Sequence, residues 1–144
     1  MDHQIFKVPV LNFIFRTGKA IPIASAKEDP RLKARAFERI AEELAAGEVV
    51  CIFPEGKITY NGEMNPFKSG IEEIVQRTPV PVVPMALRGL WGSFFSRKDG
   101  QAMTRLPRRF WSKIALVAAP PVAAAGVSAT ALQQQVQQLR GDWR

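Results

Sequence analysis

The side chains best suited to chemistry in this 144-residue chain gather in Phe53-Pro54-Glu55-Gly56-Lys57. Phe67-Lys68-Ser69-Gly70 and the apolar, proline-punctuated run Val80-Pro81-Val82-Val83-Pro84 follow. Glu55 can accept hydrogen bonds from hydroxyls or from a neighbouring basic group. Gly56 lets backbone amides approach an incoming ligand closely. Lys57 and Lys68 are mobile point charges suited to phosphate, whereas arginine would grip it in two places. Thr59 adds a hydroxyl. Taken singly, each lysine reads as readily as a solvated surface charge, and Pro-Glu-Gly as an ordinary turn. Together with the spaced Val-Pro run, the group gains weight from its context.

The residues that are missing narrow the chemistry further. The one histidine is His3, and the residue five positions on is Val8. The lone Cys51 has no internal disulfide partner, and no Cys/His cluster has metal-ligand spacing. No metal is expected, a reducing compartment is the default, and Cys51 reads as a buried strand residue.

The elements that must position these groups alternate between helix and strand. Pro9 to Thr17 reads as a short helix and Ala20 to Ala24 as a short strand. Asp29-Pro30 sets up a helix start, with a capping carboxylate before a proline in the first turn. Phe37, Ile40, Ala41 and Leu44 then share one face, and Gly47 ends the helix. Val49 to Phe53 reads as a buried strand that delivers the Pro-Glu-Gly turn at its carboxyl end, where open α/β sheets place their ligands. Gly70 to Arg77 suits a short helix with Ile71, Ile74 and Val75 inward, its amino end favourable to an anion. Val80 to Leu87 reads as a strand whose prolines put it at an edge or make it irregular. Lys113 to Ala118 is a further strand. Ser128 caps a last helix bearing Leu132, Val136 and Leu139, with a solvated glutamine-rich face.

Charge is uneven along the chain. Up to Gly56 eight Lys/Arg balance eight Asp/Glu, and from Lys57 onward twelve face five, which accounts for the net +7. Between Arg88 and Lys113 seven basic residues face Asp99 alone, interleaved with Trp91, Phe94, Phe95, Phe110 and Trp111. Such a stretch suits an anionic membrane surface, or equally a solvated loop whose aromatics fold back into the core. Nucleic-acid binding is not expected, because no stacking platform or fold signature accompanies the charge. The start lacks the pattern of a signal peptide, and no apolar run reaches the roughly 18 residues of a membrane span.

Phe53-Pro54-Glu55-Gly56 with the spaced Val80-Pro81-Val82-Val83-Pro84 resembles the third and fourth signature blocks of the glycerolipid acyltransferases. These enzymes move a fatty acyl group onto glycerol 3-phosphate or a lysophospholipid. The resemblance runs from about Ile5 to about Val122. It implies that Glu55 and Gly56 bind the acceptor, with Lys57, Lys68, Lys27 and Thr59 as further substrate contacts. Phe53, Pro54, Val82 and Pro84 would line the acyl or acceptor pocket. The family's second block ends in an arginine that grips the acceptor phosphate. Here Lys19-Ala20-Ile21-Pro22-Ile23-Ala24-Ser25 carries Ser25 at that place, so either Lys27 reaches the same space or the acceptor's phosphate is already esterified. That departure is more like bacterial acyltransferase domains fused to transporters or acyl-carrier-protein synthetases.

The family's base is the histidine of a His-x-x-x-x-Asp block, which this chain does not contain; His3 is not it, so the chain holds no catalytic residue of that block. The expectation is therefore an α/β domain incomplete at its amino terminus, with a mixed, mostly parallel sheet flanked by helices. Residues 1–144 would form a single partial acyltransferase domain, of which 123–144 are a carboxyl-terminal helix and tail. The reaction implied is acyl transfer from acyl-CoA or acyl carrier protein, with no cofactor, to a glycerophospholipid acceptor at the cytoplasmic side of a membrane. The chain alone would be inactive. The alternatives are a non-catalytic anionic-lipid-binding module and one subunit of a split enzyme, completed by association with the missing amino-terminal part.

Overall fold

The computed structural model describes residues 19–21, 23, 29–57, 59, 61–92 and 113–142. The expected helix at Pro9 to Thr17, His3, Lys27 and most of the basic aromatic stretch lie outside them, as do parts of Ala20 to Ala24, where Ile23 makes a single bridge.

Helix α1 (Pro30–Ala45) begins where the sequence signals a start. Asp29 has extended backbone, and its Oδ1 accepts a hydrogen bond from the Leu32 amide at 2.9 Å, with Pro30 in the first turn. Its apolar stripe buries Ala36, Phe37 and Ile40. Gly47, at φ +81, turns the chain away in a left-handed conformation. Helix α2 (Gly70–Arg77) buries Ile71, Ile74 and Val75. It stops at Thr78, which is extended because Pro79 follows. Helix α3 (Ala129–Arg140) is capped by Ser128, whose Oγ accepts from the Ala131 amide at 3.1 Å.

Strands β1 (Met85–Arg88) and β2 (Ala115–Ala118) pair antiparallel, with Leu87 opposite Leu116 and Met85 opposite Ala118. The ribbon resumes at Val82 and Val122, which exchange both backbone hydrogen bonds at 2.9 and 2.8 Å. Two residues on one side face three on the other between these pairings, so the ribbon carries a bulge at Pro120-Pro121. Pro84 contributes its carbonyl, accepting from the Ala119 amide at 2.9 Å, which needs no donor from the ring. The irregular strand expected from these prolines is therefore present, though only Met85 to Arg88 is regular.

Two buried clusters make the core. Phe37, Ile40 and Ile74 form one, with Leu44, Val50 and Ile52 against it; Ile71, Val75 and Leu132 form the other, with Ile52, Phe67, Val82 and Val122 against it. Ile52 touches both, so the segment that ends in Glu55 is anchored where the clusters meet.

Several expectations need correction. Val49 to Phe53 is not a buried strand: it runs extended with Val50 and Ile52 against the core, while Val49 is 95% and Phe53 71% exposed. Cys51 points the same way as these two and is exposed. Alternation along an extended chain turns every second side chain outward, and among the described residues nothing covers that face. Among the described residues the sheet is two-stranded and antiparallel. No helix among them is long and apolar enough to cross a membrane.

Candidate functional site

Glu55 sits in a turn closed by the Gly56 amide donating to the Phe53 carbonyl at 3.1 Å. Gly56 has φ +63, a backbone that disfavours any side chain. A second reason for glycine is the close approach of Lys68: a Cβ at Gly56 would lie 2.7 Å from Lys68 Nζ and 3.0 Å from its Cε. The ammonium of Lys68 is thus laid over the backbone of the Glu55 turn, and three of the six expected acceptor contacts, Glu55, Gly56 and Lys68, are brought together.

The segment from Asn65 to Lys68 is stitched to that turn. The Asn65 amide donates to Glu55 Oε2 at 2.6 Å, and Asn65 Nδ2 donates to the same oxygen at 3.1 Å. The Lys68 amide donates to the Pro54 carbonyl at 2.9 Å. Two donors on Oε2 hold the carboxylate in one orientation and leave Oε1 the oxygen for a hydroxyl. Asn65 was not among the expected site residues. The Asn-Pro pair at 65 and 66 is a turn signal, but nothing in the sequence tells that its side chain reaches back ten positions.

Lys57 is exposed beside the turn and Thr59 is half-buried. Among the expected pocket-lining residues Pro84 is buried, Val82 packs against the second cluster, Pro54 is half-buried, and Phe53 faces outward. Helix α2 does not offer a bare amino end. Glu72 and Glu73 stand in its first turn, although each is engaged elsewhere. Glu72 Oε1 accepts from the Ala129 amide at 2.7 Å, and Glu73 pairs with Lys33 at 2.8 Å and Arg77 at 3.4 Å.

Helix α3 also reaches the site loop. Gln133 Oε1 accepts from the Phe67 amide at 3.0 Å, so the glutamine face expected to be merely solvated supplies a tertiary contact. Arg140 Nη1 donates to the Gly62 carbonyl at 3.1 Å, and Arg140 Nη2 lies 3.5 Å from Glu63 Oε2. Gly62, at φ +82, is packed under Trp91, with the ring 2.7 Å from where a Cβ would stand. Trp91 is therefore folded back on the loop; the other aromatics of the basic stretch lie outside the described residues. Among the described residues no group of three or more His, Cys, Asp or Glu could hold a metal ion. An open groove of about 500 Å³ between Glu72, Gln76, Pro79 and Ala124 includes none of the expected site residues.

The turn thus brings a fixed carboxylate and a lysine together, and comparisons with known proteins place the chain in a family. The family model described as Acyltransferase matches residues 1–88, more than half of the chain, and the chain belongs to that family. It is 35% identical over 85 residues to the chloroplastic 1-acyl-sn-glycerol-3-phosphate acyltransferase BAT2 of Brassica napus, a match covering 59% of this chain and 24% of the relative. It is 30% identical over 116 residues to the mouse (Mus musculus) 1-acyl-sn-glycerol-3-phosphate acyltransferase alpha, covering 78% of this chain and 33% of that protein. The crystal structure of the 1-acyl-sn-glycerophosphate (LPA) acyltransferase PlsC from Thermotoga maritima superimposes with a TM-score of 0.63 at 23% identity. That match covers 95% of this chain and 52% of that one, and it shows the fold. The chain spans about a quarter to a third of the length of the two curated relatives.

Proposed function

We propose that these residues form the acceptor-binding part of an acyltransferase of phospholipid biosynthesis or remodelling. The acceptor is a lysophosphatidate or lysophospholipid, and the acyl donor is acyl-CoA or acyl carrier protein. The observation that carries this reading is the Lys68 ammonium lying against Gly56, next to a Glu55 carboxylate oriented by Asn65. Lys68, with Lys57 and Lys27 as further contacts, takes the acceptor phosphate by charge. Glu55 Oε1 accepts from a glycerol hydroxyl, and Thr59 adds a polar contact. Phe53, Pro54, Val82 and Pro84 belong to the apolar wall for the chain.

In the reaction the free acceptor hydroxyl oxygen attacks the thioester carbonyl. A C–O ester bond forms, the C–S bond breaks, and the hydroxyl proton ends on the departing thiol. A base that takes this proton is worth roughly 100- to 10,000-fold, and these 144 residues hold no His-x-x-x-x-Asp block to supply it. Our reading is that residues other than these supply the base, and that the present chain by itself does not turn over. It is one partial domain, with 123–144 a carboxyl-terminal addition. The extended Val49–Phe53 segment would become a strand of a mostly parallel sheet once a neighbouring strand pairs with its backbone. Apart from Trp91 and Arg88, which are engaged within the fold, the charged and aromatic residues of the Arg88–Lys113 region would rest on the cytoplasmic face of a membrane.

The split-enzyme reading draws on one observation of its own. Val49 at 95%, Phe53 at 71% and Leu116 at 63% exposure leave apolar surface that a second polypeptide would cover.

The test is thiol release from palmitoyl-CoA, or from palmitoyl acyl carrier protein, with oleoyl lysophosphatidate as acceptor. The protein as its source cells make it should turn over, and Lys68→Ala should raise the acceptor KM at least tenfold. The isolated 144-residue chain should give none. Turnover by that chain, lost in Glu55→Ala, would overturn the assignment of the base to other residues. A native protein inactive with both donors would leave the lipid-binding alternative.

A further inference from the structure

Helix α3 begins beyond residue 88, where the family match ends, yet one stripe of it is bound to the loop between Glu55 and α2. The side-chain contacts are Gln133 on the Phe67 amide and Arg140 on Gly62 and Glu63, while the Ala129 amide at the helix start donates to Glu72 of α2. At 3.6 residues per turn, positions 133 and 140 fall within about 20° of one another around the helix. Leu132 and Val136 lie on a neighbouring stripe, and Leu132 is in the second core cluster. The helix thus presents an apolar stripe to the core and a hydrogen-bonding stripe to the loop.

Adjacent amides of the loop go in opposite directions. Lys68 N–H runs to the Glu55 turn at Pro54, and Phe67 N–H runs to Gln133 of α3. The strip Asn65 to Lys68 is consequently held between the turn on one side and α3 on the other. Arg140, with its side chain 15% exposed and its Nε buried without a partner, secures the far end of the same loop. We propose that Gln133 and Arg140 are positioning residues of the acceptor site: α3 is a brace that fixes the loop backbone from which the Lys68 side chain reaches over Gly56. Neither touches the acceptor, and both act through the loop backbone. The positioning claim rests on the acceptor-site reading given above, whereas the brace itself does not.

The experiment is amide hydrogen exchange by NMR on the 144-residue chain, together with titration by hexanoyl lysophosphatidate below its micelle concentration. Gln133→Ala should speed exchange of the Phe67 amide roughly two- to tenfold, the range that one net hydrogen bond is worth. Amides inside α1 should keep their rates. The same variant should weaken hexanoyl lysophosphatidate roughly fivefold, read at the Gly56 and Lys68 amides. Gln133→Glu should restore both, since only an acceptor oxygen is required. Arg140→Lys, which keeps the charge but not the fork, should weaken the ligand in the same direction with the fold intact. Unchanged Phe67 exchange in Gln133→Ala would overturn the brace. Faster exchange with unchanged affinity would overturn the positioning role. If the parent chain does not take the ligand at all, the acceptor-site reading fails and the positioning role with it, while the exchange arm still decides the brace.

Discussion

Gly56→Ala separates backbone strain from ligand positioning, because the chain carries its own control. Gly56 and Gly47 both have left-handed backbones, at φ +63 and +81. An alanine at either should cost about 1–2 kcal/mol of stability from its Cβ against the following carbonyl. Beyond that the two differ. At Gly47 an added Cβ meets nothing within 4 Å, whereas at Gly56 it lands 2.7 Å from Lys68 Nζ and 3.2 Å from Lys68 Cδ. The lysine end is flexible and will swing away, so stability should fall by similar amounts in both variants. What Gly56→Ala loses in addition is the location of the ammonium. A charge-assisted hydrogen bond to phosphate is worth about 1.5–3 kcal/mol, so affinity for hexanoyl lysophosphatidate should drop by roughly 10- to 150-fold in Gly56→Ala. It should be unchanged in Gly47→Ala. Thermal unfolding and ligand titration of both variants, alone and in a Lys68→Ala background, give the answer. With Lys68 already removed, Gly56→Ala should have no further effect on affinity. Parent-like affinity in Gly56→Ala, or equal weakening in Gly47→Ala, would refute the reasoning.

Two further predictions concern the neighbouring residues. Glu55→Ala frees both Asn65 donors and should destabilise the loop by about 1–3 kcal/mol, whereas Glu55→Gln keeps an oxygen for Asn65 and should retain most of that stability. Equal loss in the two, measured by denaturant unfolding, would show that the Asn65 contact does not order the loop. Cys51, being exposed, should react with a maleimide in the folded chain about as fast as in denaturant; strong protection of the native thiol would mean that the outer face of Val49–Phe53 is covered.

Much of the local structure is legible in the sequence because its causes are local. Asp29 reaches the amide three residues on, Ser128 does the same, and Pro79 stops α2 through its immediate neighbour. The apolar spacing of Phe37 and Ile40, and of Ile71, Ile74 and Val75, names the buried faces for the same reason. The run Val49 to Phe53 misleads. Five residues of valine, cysteine, isoleucine and phenylalanine fit a strand buried on both faces as well as one buried on a single face. Only the packing of Val50 and Ile52 against α1 and α2 decides between them.

For the site, the sequence by itself determined the parts: a Glu-Gly turn, lysines nearby, and no His-x-x-x-x-Asp block. Tertiary structure alone decided which parts meet. It chose Lys68 to lie over Gly56, brought Asn65 onto Glu55, and set Gln133 and Arg140 against the same loop from 66 and 78 positions away. Such contacts leave no spacing to read, because a hydrogen bond between distant residues depends on where two helices and a ribbon pack, and that is set by the whole core rather than by any neighbour in the chain.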